Sequence, residues 1–119
     1  MGKIIVWSKT SLKHAEEIHE FIFEESKSLE LADKLIMDLF NSTSVLEIQP
    51  ELYPLDKYRK SNNGSYRAYE VFSYRIVYRE FKDTIRILRV RHTSRKPLKY
   101  WLFAKNNGFV KNDYISGWN

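Results

Sequence analysis

The chain contains no cysteine, so a disulfide framework and a thiolate metal site are both excluded. No glycine-rich phosphate loop, nucleophile elbow or histidine–carboxylate zinc motif occurs, which removes nucleotide-binding, hydrolase and zinc-peptidase chemistry in their usual forms. The only apolar run near the start is Ile4-Ile5-Val6-Trp7. It is too short for a secretion signal or a membrane span, and a cytoplasmic protein with no membrane partner is the expectation. Internal repeats and low-complexity tracts are also missing. From Thr84 to Asn112 there is not one acidic residue.

What is present fits one domain. The 119 residues are 43% hydrophobic and 15% aromatic, enough for a single modest core. The net charge of +5 is unevenly divided: residues 1–60 hold eight Lys/Arg and eleven Asp/Glu, whereas residues 61–119 hold twelve and four. A basic half points to a polyanionic or acidic partner. The alternative is a solvated surface followed by a basic tail.

Hydrophobic periodicity orders the elements. Lys3–Ser8 reads as a strand. Lys9-Thr10-Ser11 offers capping hydroxyls for an amphipathic helix from about Ser11 to Glu25, with Leu12, Ala15, Ile18 and Ile22 on one side and glutamates on the other. His14 and His19 on it read as solvent-facing polar residues. After Ser26-Lys27-Ser28, a second helical stripe through Leu29, Ala32, Leu35, Ile36 and Leu39 is predicted to run to about Glu47–Gln49, ahead of Pro50. Residues 50–64 form a connection. Tyr66–Phe72, Tyr74–Phe81 and Thr84–Arg91 follow as three strands with connections so tight that they must form an antiparallel meander. In the last of these Ile85 and Ile87 have one parity and Leu88 and Val90 the other, which a bulge or burial on both faces would explain. This strand is expected to be central. A short C-terminal helix, Leu98–Ala104, and a tail, residues 105–119, complete an α+β chain.

The residues with chemical potential cluster between Ser65 and Tyr100. Arg67, Arg75, His92, Arg95 and Tyr100 combine phosphate-binding guanidinium groups, an imidazole that can move a proton, and a phenol that can stack on a base or act as an acid if arginines lower its pKa. Such a set suffices for metal-free RNA cleavage through the ribose 2′-hydroxyl, with no cofactor. The same arginines at alternating strand positions also describe a plain solvated sheet face.

Ile5-Val6-Trp7-Ser8, two helices, Tyr74-Arg75-Ile76-Val77-Tyr78-Arg79 and then the run from Ile85 through Ile87-Leu88-Arg89-Val90-Arg91-His92 to Pro97 together resemble the RelE/ParE family of toxins from bacterial type II toxin–antitoxin systems, the plasmid stabilisation proteins. The likeness covers roughly residues 3–100. It implies a β-α-α-β-β-β fold with a helical hairpin packed on an antiparallel sheet, the first strand beside the last, a toxin-like domain over residues 1–104, and a cognate antitoxin that covers the toxin. Two targets follow from it. RelE-like members cut mRNA on the ribosome, for which Arg75, His92, Arg95 and Tyr100 would be the catalytic candidates and Arg67, Arg89 and Arg91 the RNA- or phosphate-binding ones. Tyr69 stands where that subtype carries a second basic residue. ParE-like members inhibit DNA gyrase without catalysis and have a long helical hairpin, as here. A non-toxic nucleic-acid-binding module using the same basic face is the alternative outside the toxin class.

Overall fold

The computed structural model describes residues 2–93; the expected C-terminal helix and tail, the 104/105 boundary, Arg95 and Tyr100 lie outside the described residues. Within them the order is β1 (Ile4–Trp7), α1 (Lys9–Ser26), α2 (Leu29–Ser42), a 3-10 turn (Ser44–Glu47), β2 (Tyr66–Val71), β3 (Tyr74–Glu80) and β4 (Thr84–His92).

Helix α1 starts earlier than expected because Ser8, not a later hydroxyl, is its cap. The Ser8 Oγ accepts the Ser11 N–H at 3.0 Å. Ser11 is instead fully buried and donates its hydroxyl to the Ser8 carbonyl. The break between the helices behaves as its sequence implies. Lys27 takes a left-handed φ of 57° and its N–H closes on the Phe23 carbonyl, a helix C-terminal conformation. Ser28 caps α2 by accepting the Leu31 N–H. Helix α2 ends at Ser42 rather than near Glu47. The reason lies in the Asn41-Ser42-Thr43-Ser44 cluster, whose hydroxyls bond to the carbonyls of Leu39, Phe40 and Asn41 and so compete with helix propagation.

The four strands form one sheet in the order β1-β4-β3-β2. Strands β2, β3 and β4 make the antiparallel meander that their short links required. Strand β1 lies beside β4, as the family likeness implied, but runs parallel to it, so the sheet is mixed. Strand β4 is interior, as expected. The β2–β3 link is a two-residue turn in which Phe72 and Ser73 both have positive φ, 55° and 65°, the mirror-image turn that matches strand twist.

One face of the sheet carries the hairpin. Ala15 and Ile22 of α1 and Ala32, Leu35 and Leu39 of α2 are buried together with Tyr69, Tyr74, Ile76, Tyr78, Ile85, Ile87 and Val90. At about 1.5–3 kcal/mol for each fully buried large apolar side chain, this layer dominates folding stability. The bulge foreseen in the last strand is real. Val77 pairs with Arg89 but Tyr78 pairs with Ile87, so Leu88 is the additional residue. It shifts the parity of everything after it. Ile85, Ile87 and Val90 all point into the core, and Arg86, Arg89 and Arg91 all fall on the opposite face.

Candidate functional site

The face away from the helices is where the basic strand residues gather. Arg75 stands directly opposite Arg91 in the β3–β4 ladder, and Val77 opposite Arg89. The three arginines line one open cleft of about 500 Å³, which Asp56, Tyr58, Arg59 and Lys60 complete from the long connection. That connection is tied to the outer edge of the sheet. The Asp56 N–H donates to the Tyr66 carbonyl, the Ala68 N–H donates to the Pro54 carbonyl, and Leu55 bridges to Arg67. Held there, Asp56 reaches across the sheet face.

Arg75 is the best-held cation of the cleft. Its Nη2 donates to Asp56 Oδ1 at 2.8 Å. Its other terminal nitrogen lies 3.5 Å from Glu70, and its guanidinium sits 4.7 Å from the centre of the Tyr58 ring. Asp56 is 8% exposed. Burial opposes its ionisation, but the Arg75 hydrogen bond, the Tyr58 N–H and the charges of Arg75 and Arg89 outweigh burial and hold its carboxyl below the usual aspartate value. Arg59 stacks on one side of the cleft, 3.7 Å from the Tyr66 ring centre, and Arg79 lies 4.6 Å from the same ring. Among the described residues no ion pair meets Arg89 or Arg91.

His92 is on the other face. It pairs with Tyr74, one register step from the Arg75–Arg91 pair, and its ring packs edge-on to the Tyr74 ring at 4.8 Å. Around it lie His14, Phe21 and Val90, in a small hollow of about 190 Å³ between α1 and the sheet. The structure therefore brings Arg75, Arg89 and Arg91 together and separates them from His92 by the thickness of the sheet. Arg67 also belongs to the helix side. It pairs with Tyr78 and donates to the Tyr53 carbonyl at 2.7 Å, so it braces the connection rather than facing the cleft.

The tyrosines of the sheet are equally informative. Tyr69 is a core residue, stacked on Tyr53 with ring centres 4.2 Å apart and joined through its hydroxyl to Ser42 at 2.8 Å. A basic side chain there would be buried under α2. Desolvation pushes the Tyr69 and Tyr74 phenols well above their ordinary range and the Tyr78 phenol up to about 12, although Arg67 works against this at Tyr78. These core phenols are shifted away from acid chemistry, not toward it.

The sequence reading missed Asp56, Tyr58, Arg59 and Lys60 as site residues. They sit in a stretch without periodicity, and nothing local shows that it folds back over the meander. It also misread His14, whereas His19 is the surface polar residue expected. His14 accepts the Val90 N–H at 3.2 Å, and His19 joins Asp33 across the hairpin at 2.7 Å. Among the described residues no group of three or more metal-binding side chains could hold an ion, and no helix is long and apolar enough to cross a membrane.

Comparison with known proteins agrees with this architecture. No curated protein sequence matches the chain. The structure resembles a chain of the chromosomal ParDE toxin–antitoxin system from P. aeruginosa with a TM-score of 0.65, over 77% of this chain and 97% of that one. At 15% identity that likeness concerns the fold alone. The sequence profile of the ParE toxin of the parDE type II toxin–antitoxin system matches residues 5–97. That match spans the hairpin, the whole meander and the arginine cleft, and the chain belongs to the ParE toxin family of type II toxin–antitoxin systems.

Proposed function

We propose that this chain arrests growth by binding and inhibiting DNA gyrase, without cutting RNA, and that a cognate antitoxin neutralises it in the cytoplasm. In this reading it stabilises the DNA that encodes the pair. The observation that carries the reading is the separation of Arg75 from His92. A ribonuclease that used both would need them within reach of one scissile phosphate, and the sheet lies between them. The clamp of Asp56 and Glu70 on Arg75 and the burial of Tyr69 support the same view. So does the match of residues 5–97 to the ParE toxin profile.

A second reading keeps mRNA cleavage, because Arg75, Arg89 and Arg91 do share a cleft. The two are separated by one pair of assays. Purified chain is added to a plasmid supercoiling reaction with gyrase and, in parallel, to a translating extract. Inhibited supercoiling that the antitoxin reverses, with intact mRNA, is the expected result. Codon-phased mRNA cuts with undisturbed supercoiling would overturn the proposal.

A further inference from the structure

We propose that the Asn63–Gly64 peptide is a site of spontaneous covalent modification, at which the asparagine loses ammonia through a cyclic imide and becomes aspartate or isoaspartate.

Asparagine before glycine is the pairing this chemistry favours. The attacking group is the backbone nitrogen of the following residue, and glycine places no Cβ beside it. Of the chain's asparagines, Asn63 and Asn107 precede glycine, and Asn107 lies outside the described residues. Asn63 and Gly64 are both exposed, in the turn that leads into β2. Gly64 has a φ of 95°, and a Cβ built on it would meet nothing within 4 Å. No neighbour therefore blocks rotation of the peptide into the attacking position.

The surroundings also activate the amide that reacts. Asn63 Oδ1 accepts the Ser65 N–H at 3.1 Å and the Ser65 hydroxyl at 2.6 Å. Two donors on one amide oxygen draw charge from Cγ and stabilise the oxyanion that forms when a nucleophile adds there. One contact acts in the opposite sense. The Gly64 N–H donates to Asn62 Oδ1 at 2.8 Å and must release it before attack. This exposed bond slows the reaction by about two- to tenfold, the rate equivalent of one net hydrogen bond.

In the first step the Gly64 nitrogen gives its proton to solvent base and bonds to Asn63 Cγ. The Cγ–Nδ2 bond breaks, and the amide nitrogen takes a proton from solvent and leaves as ammonia. Water then cleaves one of the two imide C–N bonds. Cleavage at Cγ leaves aspartate. Cleavage at the backbone carbonyl leaves isoaspartate, in which the main chain runs through the side-chain carbonyl.

Either product changes the turn. The Ser65 hydroxyl that donates to Asn63 also accepts from Arg79 Nε at 3.2 Å, so the new carboxylate lies two hydrogen bonds from a guanidinium. Isoaspartate also lengthens the backbone between Asn62 and Tyr66. The Asn62 amide holds the Tyr66 carbonyl at 2.8 Å and the Tyr66 N–H at 3.3 Å, and the same carbonyl accepts the Asp56 N–H. The modification therefore acts on the tie between the connection and the edge of β2.

The test is peptide mapping by mass spectrometry on the full-length chain, incubated at physiological pH and temperature both folded and in urea. Asn63 is expected to convert faster than Asn41 and Asn62. Ser65→Ala should slow conversion at Asn63 by about two- to tenfold in the folded chain. It should leave Asn107 at the parent rate and have no effect in urea, where the Ser65 contacts are gone. Ser65→Thr keeps the hydroxyl and should stay within about twofold of the parent. An Asn63 that stays intact while Asn107 converts, or an unchanged rate in folded Ser65→Ala, would overturn the proposal. So would a slowing that persists in urea, or a Ser65→Thr chain as slow as Ser65→Ala. The isoaspartate form, separated by ion exchange, should unfold at a lower temperature than the parent; an equal midpoint would overturn the role given to the turn.

Discussion

Arg75 and His92 are one register step apart across the β3–β4 ladder and point to opposite faces of the sheet. Residues that share a catalytic step are strongly non-additive when mutated, because loss of one already removes the step. Residues on separate surfaces add, to within about 0.5 kcal/mol. Arg75→Ala and His92→Ala are therefore expected to combine additively in the concentration needed to half-inhibit supercoiling. A double variant no weaker than the worse single one would show that they act as one unit.

The Asp56–Arg75 pair makes stability depend on pH. The folded-state pKa of Asp56 is lowered, so the folded chain keeps its carboxylate ionised where the unfolded chain, with a value of about 3.9, has begun to bind a proton. The pair's contribution is complete above that unfolded value and is lost as pH falls through the lowered folded value. Asp56→Asn is expected to cost about 1.5–3 kcal/mol at neutral pH, the range for a hydrogen bond to a charged group. The gap to the parent chain should close at acid pH. Urea unfolding at both pH values measures it, and a gap that persists unchanged in acid would mean the loss is not electrostatic.

His14 carries out a structural task at the edge of β4. Strand β1 pairs only as far as Trp7 with Ile87. Beyond that point Ser8 Oγ donates to the Leu88 carbonyl and His14 Nδ1 accepts from the Val90 N–H. His14→Phe keeps the ring but leaves a buried N–H without an acceptor, which costs about 1–3 kcal/mol. Amide exchange at Val90 should accelerate with it. Unchanged protection there would assign the Val90 hydrogen bond no role.

The Phe72-Ser73 turn holds two non-glycine residues at positive φ. Phe72 is 5% exposed and part of the core, so its burial offsets the strain at that position. Ser73 has no such return. Ser73→Gly is expected to raise stability by about 0.5–1 kcal/mol, seen as a higher thermal midpoint, because glycine adopts this conformation without a Cβ penalty. A lower midpoint would mean that the strain is absent or that the unfolded-state entropy of glycine outweighs it.

Much of this protein follows from local pattern. The 3.6-residue stripes of α1 and α2, the hydroxyl cap at Ser28 and the short links between strands are nearest-neighbour signals, and they led to the right elements in the right order. Even the bulge is written in the chain, as the parity change between Ile87 and Val90. The pattern of Tyr74–His92 also carried the family. What local pattern could not supply was the side of the sheet on which each functional residue ends. That depends on a register set by strand pairing and on one additional residue, Leu88, which turns Arg89 and Arg91 toward Arg75. Nor could it show that Asp56 crosses to Arg75, since residues nineteen apart in the chain meet only because the connection pairs with the edge of β2. The parallel pairing of β1 with β4, the acceptor role of His14 and the burial of Tyr69 have the same origin. The chain by itself determined which segments are helix and strand, because that is decided by neighbours three or four residues apart. Only the tertiary structure decided which arginines share a surface, because that is decided by contacts between segments far apart in sequence.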